Sequence, residues 1–470
     1  MPTQASVRPA LTERRSIDFI PETERHGRVF SQFTLWLAAN LQITAVVTGA
    51  LAVVLGGDVL WSIAGLALGQ AAGGLVMALH GAQGPRLGLP QMLASRAQFG
   101  VRGAVLPLAL ALACAMYLGF NATGMILSGQ ALGQLLSVDD RVGIALFALA
   151  VMAAAALGYR AIHRLGRVAS ALGLLAFLYL FIRLAGRADL LQLALDRQHF
   201  DPAAFCTAVS LSASWQIAFA PYVSDYSRYL PSATPPARVA LAIGLGSALG
   251  AQIAMSLGVL VAAVGGAAFR GHEVAYFVGL GAAGAVASAL FFCVAFGKIT
   301  ISTLNAYGGF MCVSTIAASF GGRSAAIGPL RRWLTVAALV LVSVAVAVWA
   351  QHSFLPLFKS FLLLLLAFFT PWSAVNLVDF YLLSGARTDA AALAGGGDGP
   401  AYAWPGLTAY LAGVLLQLPF IDCAFFTGPA ARLLGVDLSW LVGWLAPAAL
   451  YWLLRRRAGA GRMAAARHPG

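Results

Sequence analysis

The sequence predicts an all-α integral membrane protein of twelve transmembrane helices, and three observations predict it. Its 470 residues are 60% hydrophobic and only 10% charged, with a mean hydropathy of +0.82, well above what a soluble domain carries. The apolar segments are about 20 residues long and recur along the whole chain, the length of a helix crossing roughly 30 Å of hydrocarbon rather than of a barrel strand. The basic residues, finally, fall on alternate sides of the apolar runs.

The spans lie near 29–55, 59–81, 103–135, 142–160, 168–187, 203–223, 237–264, 284–319, 332–350, 354–384, 404–426 and 438–454. With the N-terminus inside, the N-terminal tail, every second loop and the C-terminal cluster Arg455, Arg456, Arg457, Arg462 and Arg467 hold 22 of the 30 basic residues. That asymmetry places both termini in the cytoplasm. It also accounts for the net charge of +13, so the basic balance reports topology and excludes nucleic acid as a partner. Residues 1–28 are polar and lack an apolar signal-peptide core, so they form a cytoplasmic tail. The five cysteines, at 114, 206, 293, 312 and 423, lack metal-type spacing, which argues against zinc and disulfides alike.

A weak internal repeat organises the spans. AANLQITA at 38–45 and SASWQIAF at 212–219 share Ala39 with Ala213, Gln42 with Gln216 and Ile43 with Ile217. They fall in the first helix of each of two five-helix halves, 29–187 and 203–384, the arrangement of a five-plus-five inverted repeat. A glycine-rich linker at 385–403 then leads to a peripheral pair of helices at 404–454 and a second cytoplasmic tail at 455–470.

Within this frame a few side chains are expensive in lipid and mark a site. In the sixth span, SASWQIAFAPYVSDYSRYL carries Trp215 and Gln216, with Pro221 six residues beyond the tryptophan. Proline removes a backbone hydrogen bond and opens the helix, which frees polar groups for a ligand beside an indole face suited to a flat ring. In the third span, Tyr117 and Asn121 stand four apart on one helical face, where Asn offers the donors and acceptor a heterocyclic amide edge requires; the plain alternative is an interhelical hydrogen bond. The eighth span, FGKITISTLNAYGG, presents Lys298, Thr300, Ser302, Thr303, Asn305 and Tyr307. Its hydroxyls suit a hard cation or a polar ligand, or simply bond their own helix. Lys298 competes with any sodium ion there unless it points elsewhere. Asp225 and Arg228, three apart at the inner end of span six, form a gate or structural pair, and Asp379 lies near the inner end of span ten; a surface salt bridge is the bland alternative for both.

RSIDFIPETERHGRVFSQFTLWLAANLQ, GPRLGLPQMLASRAQFGVRGA, APYVSDYSRYL and PWSAVNLVDFYL together resemble the nucleobase:cation symporter-1 family, the purine–cytosine permease and hydantoin–allantoin transporter group, over nearly the whole chain. The resemblance implies discontinuous helices 1 and 6 and carriage of a nucleobase, hydantoin, allantoin or related heterocycle with sodium or protons. It implies substrate-binding roles for Tyr117 and Asn121, which match the family's third-helix Trp-x-Gly-x-Gln pattern with Gly119, and for Trp215, Asn305 and Gln42. Gln216 joins this set through its place beside Trp215. The resemblance also implies carbonyl ligands for sodium at Ala38 and Leu41, joined by the hydroxyls of Thr300 or Thr303. Two departures stand out. Tyr and Asn replace Trp and Gln in the third helix, implying a differently shaped pocket, and Thr300-Ile301-Ser302 stands where the family has a Thr-Thr-Asn run, which weighs against sodium.

The expected protein is therefore a secondary active importer in the inner (plasma) membrane. It takes a small heterocycle by cation symport with alternating access, needs no cofactor beyond a coupling ion, sodium or proton, and functions as a monomer in the bilayer. An intramembrane enzyme would need an HExxH or a paired-aspartate set at mid-membrane, and a channel a ring-forming filter; neither is visible in the sequence.

Overall fold

The computed structural model describes residues 19–107, 115–156, 159–187, 189, 192, 199–321, 329–384, 393 and 400–467. The expected N-terminal tail up to residue 18, Cys114, Arg323, Arg387, most of the 385–403 linker and the last three residues lie outside the described residues.

The chain is helical almost throughout. Its principal elements are α1 (Val29–Asn40), α2 (Ile43–Val54), α3 (Val59–Gly81), α4 (Leu118–Leu136), α5 (Asp140–Ala156), α6 (Tyr159–Ala185), α7 (Pro202–Ile217), α8 (Val223–Ser227), α9 (Pro236–Gly265), α10 (Glu273–Gly281), α11 (Gly284–Gly321), α12 (Pro329–Ala350), α13 (Phe354–Leu377), α14 (Trp404–Gln417) and α15 (Ser439–Arg467). Among the described residues, four helical segments, Val59–Leu87, Pro236–Phe269, Gly284–Ser314 and Leu330–Leu383, are each long and apolar enough to cross a membrane. The pair α1–α2, bent by 61°, makes a fifth.

Local chemistry sets the boundaries. Asp58 caps α3 by accepting from the Leu60 N–H at 2.9 Å. Asp201 caps α7, with Pro202 in the first turn, where its missing N–H costs nothing. Ser137, in the left-handed region at φ 57°, ends α4.

Small residues let the helices touch backbone to backbone, the packing that replaces a hydrophobic driving force in lipid. A Cβ on Gly69 of α3 would strike Ser212 Oγ and the Val209 carbonyl of α7, and one on Gly258 of α9 would strike the Val46 carbonyl of α2. Thus α3 lies along α7, and α1 and α2 lie along α9. On the other side α4 packs against α5, α11 and α12. The peripheral group closes around Gly413 of α14, which fits between Pro371 of α13 and Pro447 of α15.

Two expected spans, the fifth and the eleventh, need correction. Of the third, expected over 103–135, the described residues show a turn to residue 104, helix at Val105–Pro107, a π-type turn at 115–117 and α4 from Leu118. The fifth is helical from Tyr159 rather than from 168, because the arginines at 160, 164 and 167 are good helix formers and carry the helix beyond its apolar stretch. The eleventh stops at Gln417 rather than 426. Pro419 follows it, and Asp422–Cys423 pairs antiparallel with Phe426–Thr427 in a small hairpin, where a proline has removed the N–H that would continue the helix.

Candidate functional site

Two interrupted helices face each other. Between α1 and α2 the break is carried by Leu41 (φ −81°, ψ 74°) and Gln42, which is extended (φ −148°, ψ 158°). Between α7 and α8 the chain passes Ala218–Tyr222 in tight turns, with Ala220 N–H on the Ile217 carbonyl (3.0 Å) and Tyr222 N–H on the Phe219 carbonyl (3.1 Å). Pro221, the signal for this break, lies within those turns.

Trp215 ties the two breaks together. Its indole Nε1–H donates to Asn40 Oδ1 at 2.6 Å, on the last residue of α1. The Asn40 amide in turn donates to the Trp36 carbonyl (2.7 Å) and to Ser247 Oγ of α9 (2.9 Å). The Trp215 ring is 2% exposed and meets Phe120 of α4 and Phe219 edge-on, each at 5.9 Å between centroids. Gln216, next to it, points elsewhere. Its carboxamide donates to Gln70 Oε1 of α3 and accepts from Ser247 Oγ at 2.6 Å, so both of its ends are engaged in packing α7 against α3 and α9.

Across from Trp215, α4 and α11 present the other expected residues. The Tyr117 ring lies against Gly308 of α11, where a Cβ would overlap it. One turn later Asn121 is 1% exposed, and its Oδ1 is buried with no hydrogen-bond partner. A turn beyond, Gly124 faces Ser302 Oγ and Lys298 Cε. Tyr117, Asn121 and Gly124 thus run down one face of the third span toward α11. Asn305 is half-buried on α11, on the same face as Lys298 and Ser302 by their i, i+4, i+7 spacing.

The residues expected to hold a cation are placed differently from one another. The Ala38 carbonyl accepts the Leu41 N–H at 3.2 Å. Thr303 Oγ1 donates to the Ile299 carbonyl of its own helix at 2.7 Å, while Thr300 Oγ1 is buried without a partner. What reaches the first break is Lys298, 5% exposed: its Nζ donates to Gln42 Oε1 at 2.9 Å and to Thr44 Oγ1. Gln42 spends its own amide on the Ala39 carbonyl, 2.9 Å away.

At the inner end, the Asp225 carboxylate accepts the Gln91 N–H at 3.1 Å, and Arg228, almost fully buried, donates from Nε to the Asp225 carbonyl (3.3 Å) and lies over the Tyr229 ring. A chain of amides continues from there. Ser224 bonds to Gln91, Gln91 to His80 (3.0 Å) and Gln83 (3.2 Å), Gln83 to Asn376 (2.9 Å), Asn376 to Gln98 (3.3 Å), and Gln98 to Asp379 (2.9 Å). Asp379 also accepts from Tyr451 OH at 2.9 Å and lies 3.8 Å from Arg455. It is 3% exposed, so the surface salt bridge entertained for it is corrected to a buried link among α3, the loop after it, α13 and α15. The N-terminal segment latches to the same end: Glu22 accepts the Ser232 N–H at 3.0 Å, and His26 N–H donates to the Tyr229 carbonyl at 2.9 Å. The Ser232 N–H is what holds the exposed Glu22 carboxyl below its ordinary value, ahead of the nearby Arg25 charge.

Sequence reasoning missed Asn40, Thr44, Gln70, His80 and Ser247. Each is a polar residue inside or beside an apolar run, a signal equal in kind to the one that found Gln42 and Trp215.

A family model described as permease for cytosine/purines, uracil, thiamine, allantoin matches residues 19–443. A protein of Bacillus subtilis strain 168 named as a purine-cytosine permease, YxlA, is 33% identical over 459 residues, covering 95% of this chain and 98% of its own. Among solved structures, Mhp1 in an inward-facing conformation superposes with a TM-score of 0.73 at 18% identity, over 97% of this chain and 96% of its own. Mhp1, a nucleobase-cation-symport-1 family transporter, in a closed conformation with bromovinylhydantoin bound, gives 0.68 at 18% identity over 98% and 97%. A Na+-coupled sialic acid symporter in a substrate-bound outward-open state gives 0.61 at 13% identity over 93% and 92%. At these identities the structural likenesses are likenesses of fold.

Proposed function

The chain belongs to the family of permeases for cytosine and purines, uracil, thiamine and allantoin, and from that premise we propose that it imports a nucleobase or a related small heterocycle by cation symport. It is a multi-pass membrane transporter, not an enzyme. The observation that carries the reading is Asn121. A buried amide oxygen without a donor is costly, and Asn121 Oδ1 on α4 is buried without one, one residue beyond the Phe120 ring that meets Trp215. A ring N–H next to a carbonyl, the edge shared by nucleobases and hydantoins, supplies the missing donor. The indole of Trp215, held by Asn40, supplies an apolar wall for the ring itself.

The finer architecture rests on the same reading. Twelve spans, five plus five in inverted repeat with helices 1 and 6 discontinuous and two more at the periphery, are supported by the paired breaks at 41–42 and 218–222 and by the likeness to Mhp1. The halves are 29–187 and 203–384, with 385–403 as the linker, 404–454 as the peripheral pair, and cytoplasmic tails at 1–28 and 455–470. Substrate contact belongs to Tyr117, Asn121, Trp215 and Asn305, with Gln42 at its edge and Gln216 behind it. Asp225 and Arg228 belong to the inner gate, the coupling ion is sodium or a proton, and the working unit is a monomer.

The test is a competition uptake panel in proteoliposomes covering cytosine, uracil, purines, hydantoins, allantoin and pyrimidine vitamin precursors, with substrate exchange measured alongside net uptake. Saturable exchange of at least one heterocycle is expected. Absence of exchange for all of them, from protein that is monodisperse and helical, overturns the reading.

A further inference from the structure

The cation that the family resemblance leads one to expect between helices 1 and 8, that is between the first and eighth spans, the α1–α2 pair and α11, finds residues here that do not suit it. The Thr303 hydroxyl is committed to the Ile299 carbonyl. On a continuous helix turning about 100° per residue, Thr300 projects about 200° around the axis from Lys298, and so away from the face that meets the α1–α2 break. At that break stands a lysine side chain. Lys298 extends from α11 to Gln42, the extended residue between α1 and α2, and to Thr44 in the first turn of α2. Among the described residues no carboxylate is paired with it. Its partners are a carboxamide oxygen and a hydroxyl, neutral oxygens of the kind that coordinate a hard cation.

Resting on the symporter reading above, we propose that the Lys298 ammonium is a resident cation that takes the place of sodium between helices 1 and 8, so that this transporter binds no sodium there. Three N–H donors on a flexible stem replace an ion's undirected field, and they fasten α11 to the break in α1–α2 as a bound ion would. The stem passes Gly124 of α4, where a Cβ would lie 3.9 Å from Lys298 Cε, in ordinary contact. A sodium ion seated about 4 Å from the ammonium would lose about a thousandfold in affinity at an effective dielectric of 20. The substitution is therefore exclusive; the site holds the lysine or the ion.

The experiment needs no substrate, so its outcome is independent of the uptake panel. Purified protein is assayed at fixed pH and ionic strength, with sodium replaced stepwise by choline, for binding of radioactive sodium and for thermal unfolding. The wild type is expected to show no saturable sodium binding and no sodium-dependent rise in Tm. Lys298→Met frees Gln42 Oε1 and Thr44 Oγ1, and is expected to acquire saturable binding together with a sodium-dependent Tm. Saturable binding by the wild type overturns the proposal whether or not the variant folds. A folded Lys298→Met that binds sodium no better than the wild type overturns the assignment of this crossing as a cation position.

Discussion

Replacing Trp215 by phenylalanine separates the two things that residue does. The ring remains, but the Nε1–H that meets Asn40 Oδ1 at 2.6 Å is lost, leaving that oxygen fully buried and without its donor. Hydrogen bonds between membrane helices are worth about 0.6 kcal/mol on average and at most about 1.7. Where the bond serves to hold the ring for substrate, affinity falls about 3- to 18-fold. Trp215→Ala removes the aromatic face as well, and stacking of a base on an aromatic is worth about 1 to 3 kcal/mol, so the combined loss is about 2 to 5 kcal/mol and binding falls a further five- to hundredfold or more. Asn40→Ala removes the same bond together with the bonds to the Trp36 carbonyl and Ser247 Oγ, so it should cost at least as much as Trp215→Phe, and the two losses should be less than additive in the double variant because they share one bond. The assay is equilibrium binding of a transported heterocycle to detergent-purified protein, each variant first shown to be monodisperse and helical. An unchanged Kd for folded Trp215→Ala refutes the stacking role, and additive losses in the double variant refute the coupling through Asn40.

Three further outcomes follow from other contacts. Asn121→Gln should reorder the competitors in an uptake panel, because a misplaced buried amide penalises each ligand by the pairing it lacks; a common loss for every substrate would make Asn121 structural. Gly69→Leu drives a side chain into Ser212 and the Val209 carbonyl and should cost at least about 1 to 3 kcal/mol of stability, read as loss of monodisperse protein, whereas wild-type yield and Tm would show that α3 and α7 are not in contact. Burial pushes the Asp422 carboxyl up, but the Lys359 ammonium at 2.6 Å and the Thr427 hydroxyl outweigh it and leave the group below its ordinary value. A carboxyl lowered by folding stabilises above the unfolded value of about 3.9 and loses that contribution as pH falls through its folded value. The Tm difference between wild type and Asp422→Asn should accordingly be constant from pH 5 upward and shrink below about pH 4, as judged from the unfolded value; a difference independent of pH would exclude the ion pair as its source.

The sequence by itself determined that the chain lives in a membrane, where most of its helices start and stop, and where the sixth is broken. These are consequences of composition and of local backbone chemistry: α3 runs over Val59–Gly81 as hydropathy predicts, and Pro221 lies within the break after Ile217. It failed locally where another rule outweighed hydropathy, as at Pro419, which ends α14 early. The family motifs made the function class legible as well.

Only the tertiary structure decided what each polar side chain touches. Trp215 and Gln216 are adjacent and were read together, yet one meets the end of α1 and the other meets α3 and α9, because successive residues on a helix diverge by about 100° and face different neighbours. Lys298 stood in the sequence as a complication whose direction was open. Its partners Gln42 and Thr44 lie 256 and 254 positions away, and spacing within one helix gives an angle about that helix's axis but not the identity of the helix on that side. Which side chain meets the break between α1 and α2 is set by that packing alone.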